Sequence, residues 1–566
     1  MTRPLFPDRR RLIEVVLAAA LGACLGAAPV TSAAAAESSG GAGASTVIID
    51  KLVGMILVAD PKDVAGSGAP TAAGVQIKGI PLLERSRMKK KLGKYLGKPL
   101  TQAVRAQILS DIVLFYREHG RPVVSVTTPP QEITGGVLQV LVQEGKVGAI
   151  RVDGARWFDS KSIAHQIRIS SGQAINANDL NEDLDWINRN PFRQVDLVYV
   201  KGSELGTTDL VLRETDRFPL RVYTGYEDSG DYLTGNNRVL AGVNWGNVFG
   251  LDGQLDYQYM ADPQFLYFKA HTLTYTQPLP WRHTLTLIGS YATTRGDVPQ
   301  PFNLGGFNWQ ASARYEIPLK KWGSYREGFD LGFDYKRADN NLAFGGQSVY
   351  GGTVDTVQWS LGYNADLKDA LGATTMHATV VYSPGGLTPL DTNEAYNSAR
   401  SGAAANYTYE KIDLSRTTGL PFDFTLVDLF TGQLSDANLI ASEQLGFGGY
   451  DTIRGYDTRV VNADQGFIFS NEIRTPPISP LSLLNWKNLP TDSLQFIGFV
   501  DYGLAADKHL LLGEPATTQL LGVGPGLRYA LASRLTVRAD YGWRLLNVPS
   551  DRANAMRWHV GVVLSY

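Results

Sequence analysis

The chain has 566 residues, with 53 basic against 55 acidic side chains and a single cysteine, Cys24. That balance offers no electrostatic case for nucleic-acid binding, and one thiol excludes an internal disulfide framework or a thiolate metal site. Abundant glycine (59) and tyrosine (26) with only 19% charged residues suit an all-β protein with many turns.

The first residues carry an address. Arg9, Arg10 and Arg11 precede an apolar stretch from Leu12 to Pro29, broken by Glu14, and the small residues Ala33 to Ala36 follow. This is the layout of a secretory signal peptide over residues 1–36. Leu21-Gly22-Ala23-Cys24 offers a lipoprotein cleavage site as an alternative. No other segment approaches the length of a transmembrane helix, so passage through a membrane would have to use a barrel. Residues 37–74 read as a linker, rich in Ser, Gly and Ala from Glu37 to Ser45 and loose again from Asp60 to Ala73. The apolar run between them, Thr46 to Ala59, could be a short helix acting as a detachable plug, or a strand or helix of the next domain.

Residues 75–147 change to a strand, helix, helix, strand, strand pattern. Thr101 is placed to cap a helix whose Val104, Ile108, Ile112 and Phe115 recur at helical spacing, closed by Gly120. Strands from Val123 to Thr127 and from Val137 to Val142 flank the turn Thr128-Pro129-Pro130-Gln131. Residues 148–216 repeat the order, with helices capped at Asp159 and Asn178, a stop at Asn190-Pro191, and strands from Gln194 to Val200 and Thr208 to Glu214. Two such modules without catalytic groups suggest binding domains, to which an extended peptide can add as a further strand.

From residue 217 to the C-terminus the helical period is replaced by alternation. In the last run Trp558, Val560, Val562, Leu564 and Tyr566 share one face, and Arg557, His559, Gly561 and Ser565 the other. About sixteen runs of about ten residues fit strands tilted across an outer membrane, an even count as a closed barrel needs. The competing soluble sandwich could carry mid-strand Arg and Asp only on a solvated face. Tyr566, the terminal aromatic, is the expected outer-membrane targeting residue.

One stretch breaks the alternation: Leu445-Gly446-Phe447-Gly448-Gly449-Tyr450-Asp451-Thr452-Ile453-Arg454-Gly455-Tyr456. Gly446, Gly448 and Gly449 mark a bend, and Arg454 needs a partner or water. Strand 493–503 phases Leu494, Phe496, Gly498, Val500 and Tyr502 toward lipid, and Ile497, Phe499, Asp501 and Gly503 toward the lumen. A loop tucked inward could bring Arg454 to Asp501. Such a pair is worth about 0–1 kcal/mol in open water, and losing one partner costs about 3–5 kcal/mol if it is desolvated. The alternative is a solvated loop arginine and a separate pore-lining carboxylate.

Ile453-Arg454-Gly455-Tyr456 and Phe499-Val500-Asp501-Tyr502-Gly503 resemble the two signature motifs of the two-partner secretion transporters, relatives of the barrel insertase of the BAM complex. Pro129-Pro130-Gln131, Gly135-Gly136-Val137-Leu138 and Glu144-Gly145-Lys146 resemble a first POTRA domain. Asn188-Arg189-Asn190-Pro191-Phe192, Gly206-Thr207-Thr208-Asp209-Leu210 and Asp216-Arg217-Phe218-Pro219 resemble a second and its junction with the barrel. The resemblance implies a mainly β fold: a 16-stranded transmembrane β-barrel (217–566) after two periplasmic α/β POTRA domains (75–147 and 148–216). It implies that a lid loop, 445–464, holds Arg454 against Asp501 inside the lumen. It implies a non-enzymatic pore of the outer membrane, without cofactor or metal. A large adhesin- or haemolysin-like exoprotein would be recognised by the POTRA domains and threaded unfolded without nucleotide. Outer-membrane lipid and, during biogenesis, the barrel assembly machinery would be further partners. A plug helix matches only by position. A barrel assembly factor and a porin-like channel are the alternative readings.

No other chemistry competes. Gly93-Lys94-Tyr95-Leu96-Gly97-Lys98 is too short for a P-loop and lacks its Ser/Thr. The seven histidines show no metal-ligand spacing, and no Gly-x-Ser-x-Gly occurs. The basic run Arg85, Arg87, Lys89, Lys90 and Lys91 reads as the solvated face of a helix, or as a contact for anionic partner residues or lipid.

Overall fold

The structure, a computed structural model, describes residues 46–68, 72–84, 87–204, 206–299, 302–344, 347–484, 490–548 and 555–566. The expected signal peptide, Cys24 and the linker up to Ser45 lie outside these residues. The chain divides into two units after Arg217.

The first unit begins with β1 (Val47–Ile49), β2 (Gly54–Val58), β3 (Gly74–Lys78), α1 (Pro81–Glu84), α2 (Met88–Gly93), β4 (Leu100–Thr101), α3 (Gln102–Glu118), β5 (Val124–Thr127) and β6 (Val137–Glu144). Its main sheet has the order β3-β2-β6-β5. The apolar run after Thr46 is therefore a strand of the next domain, the second of the two alternatives, and neither a helix nor a plug. β2 is an inner strand, parallel to both β3 and β6. Met55 and Leu57 join the core under α3, with Ile108, Ile112 and Tyr116. Ile56 and Val58 pack on the other face with Ala72, Val137 and Leu141. A run apolar at every position is what a strand covered on both faces requires, so the first module includes residues assigned to the linker. Gly54 opens β2 because a Cβ there would collide with the Ala72 carbonyl.

The second module contains β7 (Lys146–Asp153), α4 (Ser160–His165), α5 (Ala177–Ile187), β8 (Arg193–Lys201) and β9 (Thr207–Asp216), in the sheet order β7-β9-β8. Thr101 and Asp159 cap their helices as expected, accepting from the N–H of Val104 at 3.2 Å and of Ser162 at 2.8 Å. The helix assigned to Asn178 starts earlier, because Asn176 is the cap and accepts from the Asn178 N–H at 3.1 Å. Lys89, Lys90 and Lys91 are exposed on α2, and Lys94 pairs with Asp111 of α3 at 2.9 Å. Arg85 lies outside the described residues.

The second unit is built from β10 (Leu220–Glu227), β11 (Arg238–Val248), β12 (Gly253–Ala261), β13 (Phe268–Pro278), β14 (Thr284–Gly296), β15 (Phe302–Pro318), β16 (Tyr325–Phe344), β17 (Gln347–Lys368), β18 (Gly372–Ser383), α6 (Asn393–Ala399), β19 (Tyr407–Gly419) and β20 (Thr425–Ser435). A small hairpin of β21 (Leu445–Phe447) and β22 (Val461–Ala463) follows, then β23 (Gln465–Arg474), β24 (Asp492–Ala506), β25 (Thr518–Leu531), β26 (Leu535–Arg544) and β27 (Met556–Ser565). All strands but the small hairpin join one closed barrel, in which β27 returns to pair with β10. The barrel is inside out relative to a soluble fold. Leu361, Val380, Leu434, Phe496 and Trp558 are exposed on its outer face, while Asp334, Asp355, Gln358, Asp540 and His559 are buried within. Sixteen strands close the barrel, the number of alternating runs expected. β16 and β17 are longer, at 20 and 22 residues. β19 starts at Tyr407, after the loop that carries α6, in which Gly402 takes a left-handed φ of 80°.

Candidate functional site

The connection from β20 to β23 does not leave the barrel. β21 and β22 pair to form a lid, and residues 448–460 make its tip. Gly448 and Gly449 turn the chain with φ of 97° and 109°, values that a residue with a side chain adopts only under strain. Gly446 is not part of the bend: it sits within β21 opposite Asn462.

β24 supplies the wall. Ile497, Phe499 and Asp501 are buried toward the lumen and Phe496 faces out, as alternation requires. Arg454 reaches Asp501 in a two-pronged contact, Nε to Oδ2 and Nη2 to Oδ1, both at 2.7 Å. Its backbone N–H adds a third bond to Oδ2 at 3.0 Å, and Ser470 Oγ donates to Oδ1 at 2.5 Å. The guanidinium lies 3.6 Å from the centre of the Phe499 ring. Arg454 and Asp501 are 2% and 0% exposed, so this is a desolvated pair whose fork geometry lysine could not reproduce.

The pair sits in a wider network that the motifs did not disclose. Glu472 of β23 accepts from Arg454 Nη1 at 2.6 Å and is also held by Arg474 and Arg528. Asp540 of β26 accepts from Arg528 and Arg538 at 2.6 and 2.9 Å. Arg538 continues to Asp451 of the lid at 3.1 Å. Each charge has an opposite neighbour, which offsets the cost of burial. These side chains lie on lumen-facing positions of alternating strands, but phasing gives only the face, not the cross-strand partner.

The other motif residues seat the lid. Ile453 is buried with Phe447, Ile468, Ala505 and Leu520. The Tyr456 hydroxyl donates to the Leu546 carbonyl at 2.7 Å and accepts from the Leu521 N–H at 3.0 Å. Gly455, at φ 94°, lies against the backbone of β26, where a Cβ would meet the carbonyl carbons of Gly542 and Trp543 at 3.1 Å. The wall answers with a glycine on each of four successive strands. A Cβ on Gly503 would meet Phe447 at 2.9 Å, one on Gly522 the Arg454 carbonyl, one on Gly542 the Arg454 carbonyl carbon at 2.8 Å, and one on Gly561 the Tyr450 hydroxyl. Gly503 belongs to a motif; the roles of Gly522, Gly542 and Gly561 were not read from the sequence. On β27, Arg557 pairs with Asp457 of the lid, and His559 Nε2 accepts from the Gly455 N–H at 3.1 Å.

The stems of the lid are held as well. Glu443 takes Lys336 of β16 at 3.0 Å and the Tyr409 hydroxyl at 3.2 Å. Asp464 takes Arg400, just after α6, at 2.5 Å, together with the N–H groups of Leu439 and Lys508 at 2.9 and 3.0 Å. Between the lid and the wall of β16 to β20 a polar cavity of about 910 Å³ remains, lined by Asp330, Asn364, His377, Asp413, Asp451 and Thr452 among others. At the opposite end of the sequence, the Tyr566 side chain is exposed while its backbone N–H bonds the Val222 carbonyl at 2.9 Å, closing the seam. Among the described residues no group of His, Cys, Asp and Glu could hold a metal ion.

A closed barrel with an inverted polarity and POTRA-type modules before it defines an outer-membrane protein of the POTRA-and-barrel class. Comparison with known proteins agrees. The profile of the haemolysin secretion/activation protein family ShlB/FhaC/HecB matches residues 206–529, and that of the ShlB-type POTRA domain matches residues 71–145. The chain belongs to this family, the two-partner secretion transporters, which are secretion channels rather than enzymes and act with secreted exoprotein partners through POTRA domains. It is similar to the heme/hemopexin transporter protein HuxB of Haemophilus influenzae, 24% identical with 79% of each chain covered. The outer membrane transporter CdiB of Dickeya dadantii is 23% identical over 70% of this chain and 69% of its own. The structure of CdiB from Escherichia coli shares the fold, with a TM-score of 0.71 at 16% identity over 100% of both chains.

Proposed function

We propose that the chain is the gated pore of a two-partner system. Its POTRA modules recognise a large exoprotein of adhesin or haemolysin type in the periplasm, and the barrel passes it unfolded to the cell surface. No nucleotide is consumed; folding outside supplies the direction. β8 is one of the two edges of the second module's sheet, with Tyr199 and Val200 exposed on it, and a segment of the partner can add there as a strand. Outer-membrane lipid faces the exposed apolar positions of the barrel, and Tyr566 addresses the chain to the barrel assembly machinery.

The observation that carries the reading is the buried contact of Arg454 with Asp501. A porin needs no loop desolvated against its wall by one guanidinium; a gate does. In this reading Arg454 is the latch, Ile453, Gly455 and Tyr456 seat it, and Phe499, Asp501 and Gly503 form the catch. Arg454→Ala strands Asp501 without its cation, while Glu472 keeps Arg474 and Arg528, a loss of about 3–5 kcal/mol from the seated lid. The expected outcome is a fall in exported partner larger than the fall in folded barrel in the outer membrane, read by immunoblots of medium and membrane. Normal export by both Arg454→Ala and Asp501→Ala would refute the latch.

A further inference from the structure

The connection from β18 to β19 folds back into the barrel as the lid does. The POTRA-type modules are periplasmic, so counting strands from β10 puts this connection, the lid and the connection from β24 to β25 at the extracellular end. Thr356 and Gln358 of β17 share its inner face, where Gln358 donates to Asp334 at 3.1 Å. α6 packs on that face. The Tyr396 hydroxyl meets Thr356 Oγ1 at 3.0 Å, and its ring is buried with Val354 of β17, Tyr407 of β19, and Leu439 and Ile440 of the lid's first stem. Thr392 caps the helix by accepting from the Ala395 N–H at 3.3 Å. Asn393 Oδ1 accepts from the Ala405 N–H at 2.8 Å, which ties the segment back on itself. Gly352 of β17 allows the close approach, since a Cβ there would stand 3.4 Å from the Ala399 Cβ.

Arg400, the residue after α6, joins this segment to the lid. Its Nη1 donates to Asp464 Oδ1 at 2.5 Å and to the Leu439 carbonyl at 2.6 Å, and its Nη2 meets Asp507 Oδ1 at 2.9 Å. Asp464 lies just past β22, in the lid's second stem, and its side chain is fully buried. It also accepts from the N–H groups of Leu439 and Lys508 and from Gln444 Nε2. One ion pair therefore gathers four stretches of chain: the α6 segment, both stems of the lid and the residues after β24. It shares no residue with the contact of Arg454 and Asp501. A planar fork can hold two carboxylates and a carbonyl at once, which the point charge of a lysine does not.

We propose that the α6 segment is a second closure of the pore, coupled to the lid by Arg400, and that the pore opens only when both have left the mouth. The proposal rests on the reading of the lid as a gate. Freeing the lid tip at Arg454 leaves the stems pinned through Asp464 and leaves α6 against β17. Removing the Arg400 guanidinium leaves Asp464 desolvated without its cation, which favours any state in which water reaches that carboxylate. That state is the one with the stems and α6 drawn apart. Two locks with no residue in common each add to the cost of opening, so loss of either raises the frequency of openings.

The test is open-channel frequency of the full-length protein in planar phosphatidylcholine bilayers, with a reversible clamp on α6. Gly352→Cys with Ala399→Cys brings two Cβ atoms to about the 3.5–4.5 Å that a disulfide spans, and the chain's single cysteine, Cys24, lies in the expected signal peptide. The clamp is placed in the Arg454→Ala protein, whose lid tip is free. Oxidised, it is expected to open at least about tenfold less often than after dithiothreitol, a smaller factor than the loss of one partner of a buried ion pair allows. Equal opening in the two redox states overturns the second closure. Arg400→Ala alone is expected to open at least about tenfold more often than the natural protein, and a folded Arg400→Ala barrel as closed as the natural one overturns the coupling. Heat-modifiable migration reports folding, and thiol labelling reports the disulfide; if one variant fails its check, the other decides. Arg454→Ala without the clamp separates the two readings. If it opens no more often than the natural protein, the gate itself falls; if it opens and the clamp makes no difference, only the second closure falls.

Discussion

At the scale of single residues, the seat of the lid is made by what is missing as much as by what is charged. Gly542 and Gly455 bring two backbones together so closely that a Cβ on Gly542 would stand 2.5 Å from the Gly455 nitrogen. That atom is rigid backbone, so Gly542→Val is expected to unseat the tip without touching any ion pair. The measurement is channel opening alongside heat-modifiable migration: a folded barrel that opens more often is the expected result, and one that stays as closed as the natural protein removes Gly542 from the seat. Asp501 was legible in the sequence because period-two alternation assigns a face to every residue of a strand. Its bond to Arg454 was legible only as one of two alternatives, since the loop has no period, and family resemblance then favoured it. Glu472, Asp540 and His559 were beyond reach for a related reason. Their partners lie across strands, and register depends on which residues face each other after closure.

At the scale of elements, β2 shows where periodicity misleads. Gly54 to Val58 is apolar at every position, and a short apolar run cannot be assigned to helix or strand by period alone. The assignment depends on two neighbours far apart in sequence, β3 and β6, which cover its edges. A plug could be deleted with the first module left intact and the pore opened. The structure predicts the opposite: removing residues 46–59 takes an inner strand from the sheet, and limited proteolysis of the variant should cut the first module while the barrel keeps its heat-modifiable migration. Truncating Leu57 to Ala, at a site with no exposure, is a milder form of the same lesion, worth about 2–5 kcal/mol. The helix caps at Thr101 and Asp159 were readable because a cap needs only its own first turn.

At the scale of the whole molecule, the barrel was legible in outline because its sixteen strands repeat one simple pattern, and the places where it departs, β16, β17 and the loop before β19, are those where loop and strand share that pattern. Partner recognition belongs to this scale too. If β8 is the docking edge, Tyr199→Asp combined with Val200→Asp should lower export by reducing binding of the partner, with folded barrel unchanged; pull-down of the partner's N-terminal domain checks it, and undiminished capture moves the docking site elsewhere. The row formed by Gly503, Gly522, Gly542 and Gly561 has one more consequence. In the proposed gate, withdrawing the lid would open at these glycines a shallow trough bordered by charge, since Asp501 stands opposite Gly522, Arg557 opposite Gly542 and Arg538 opposite Gly561.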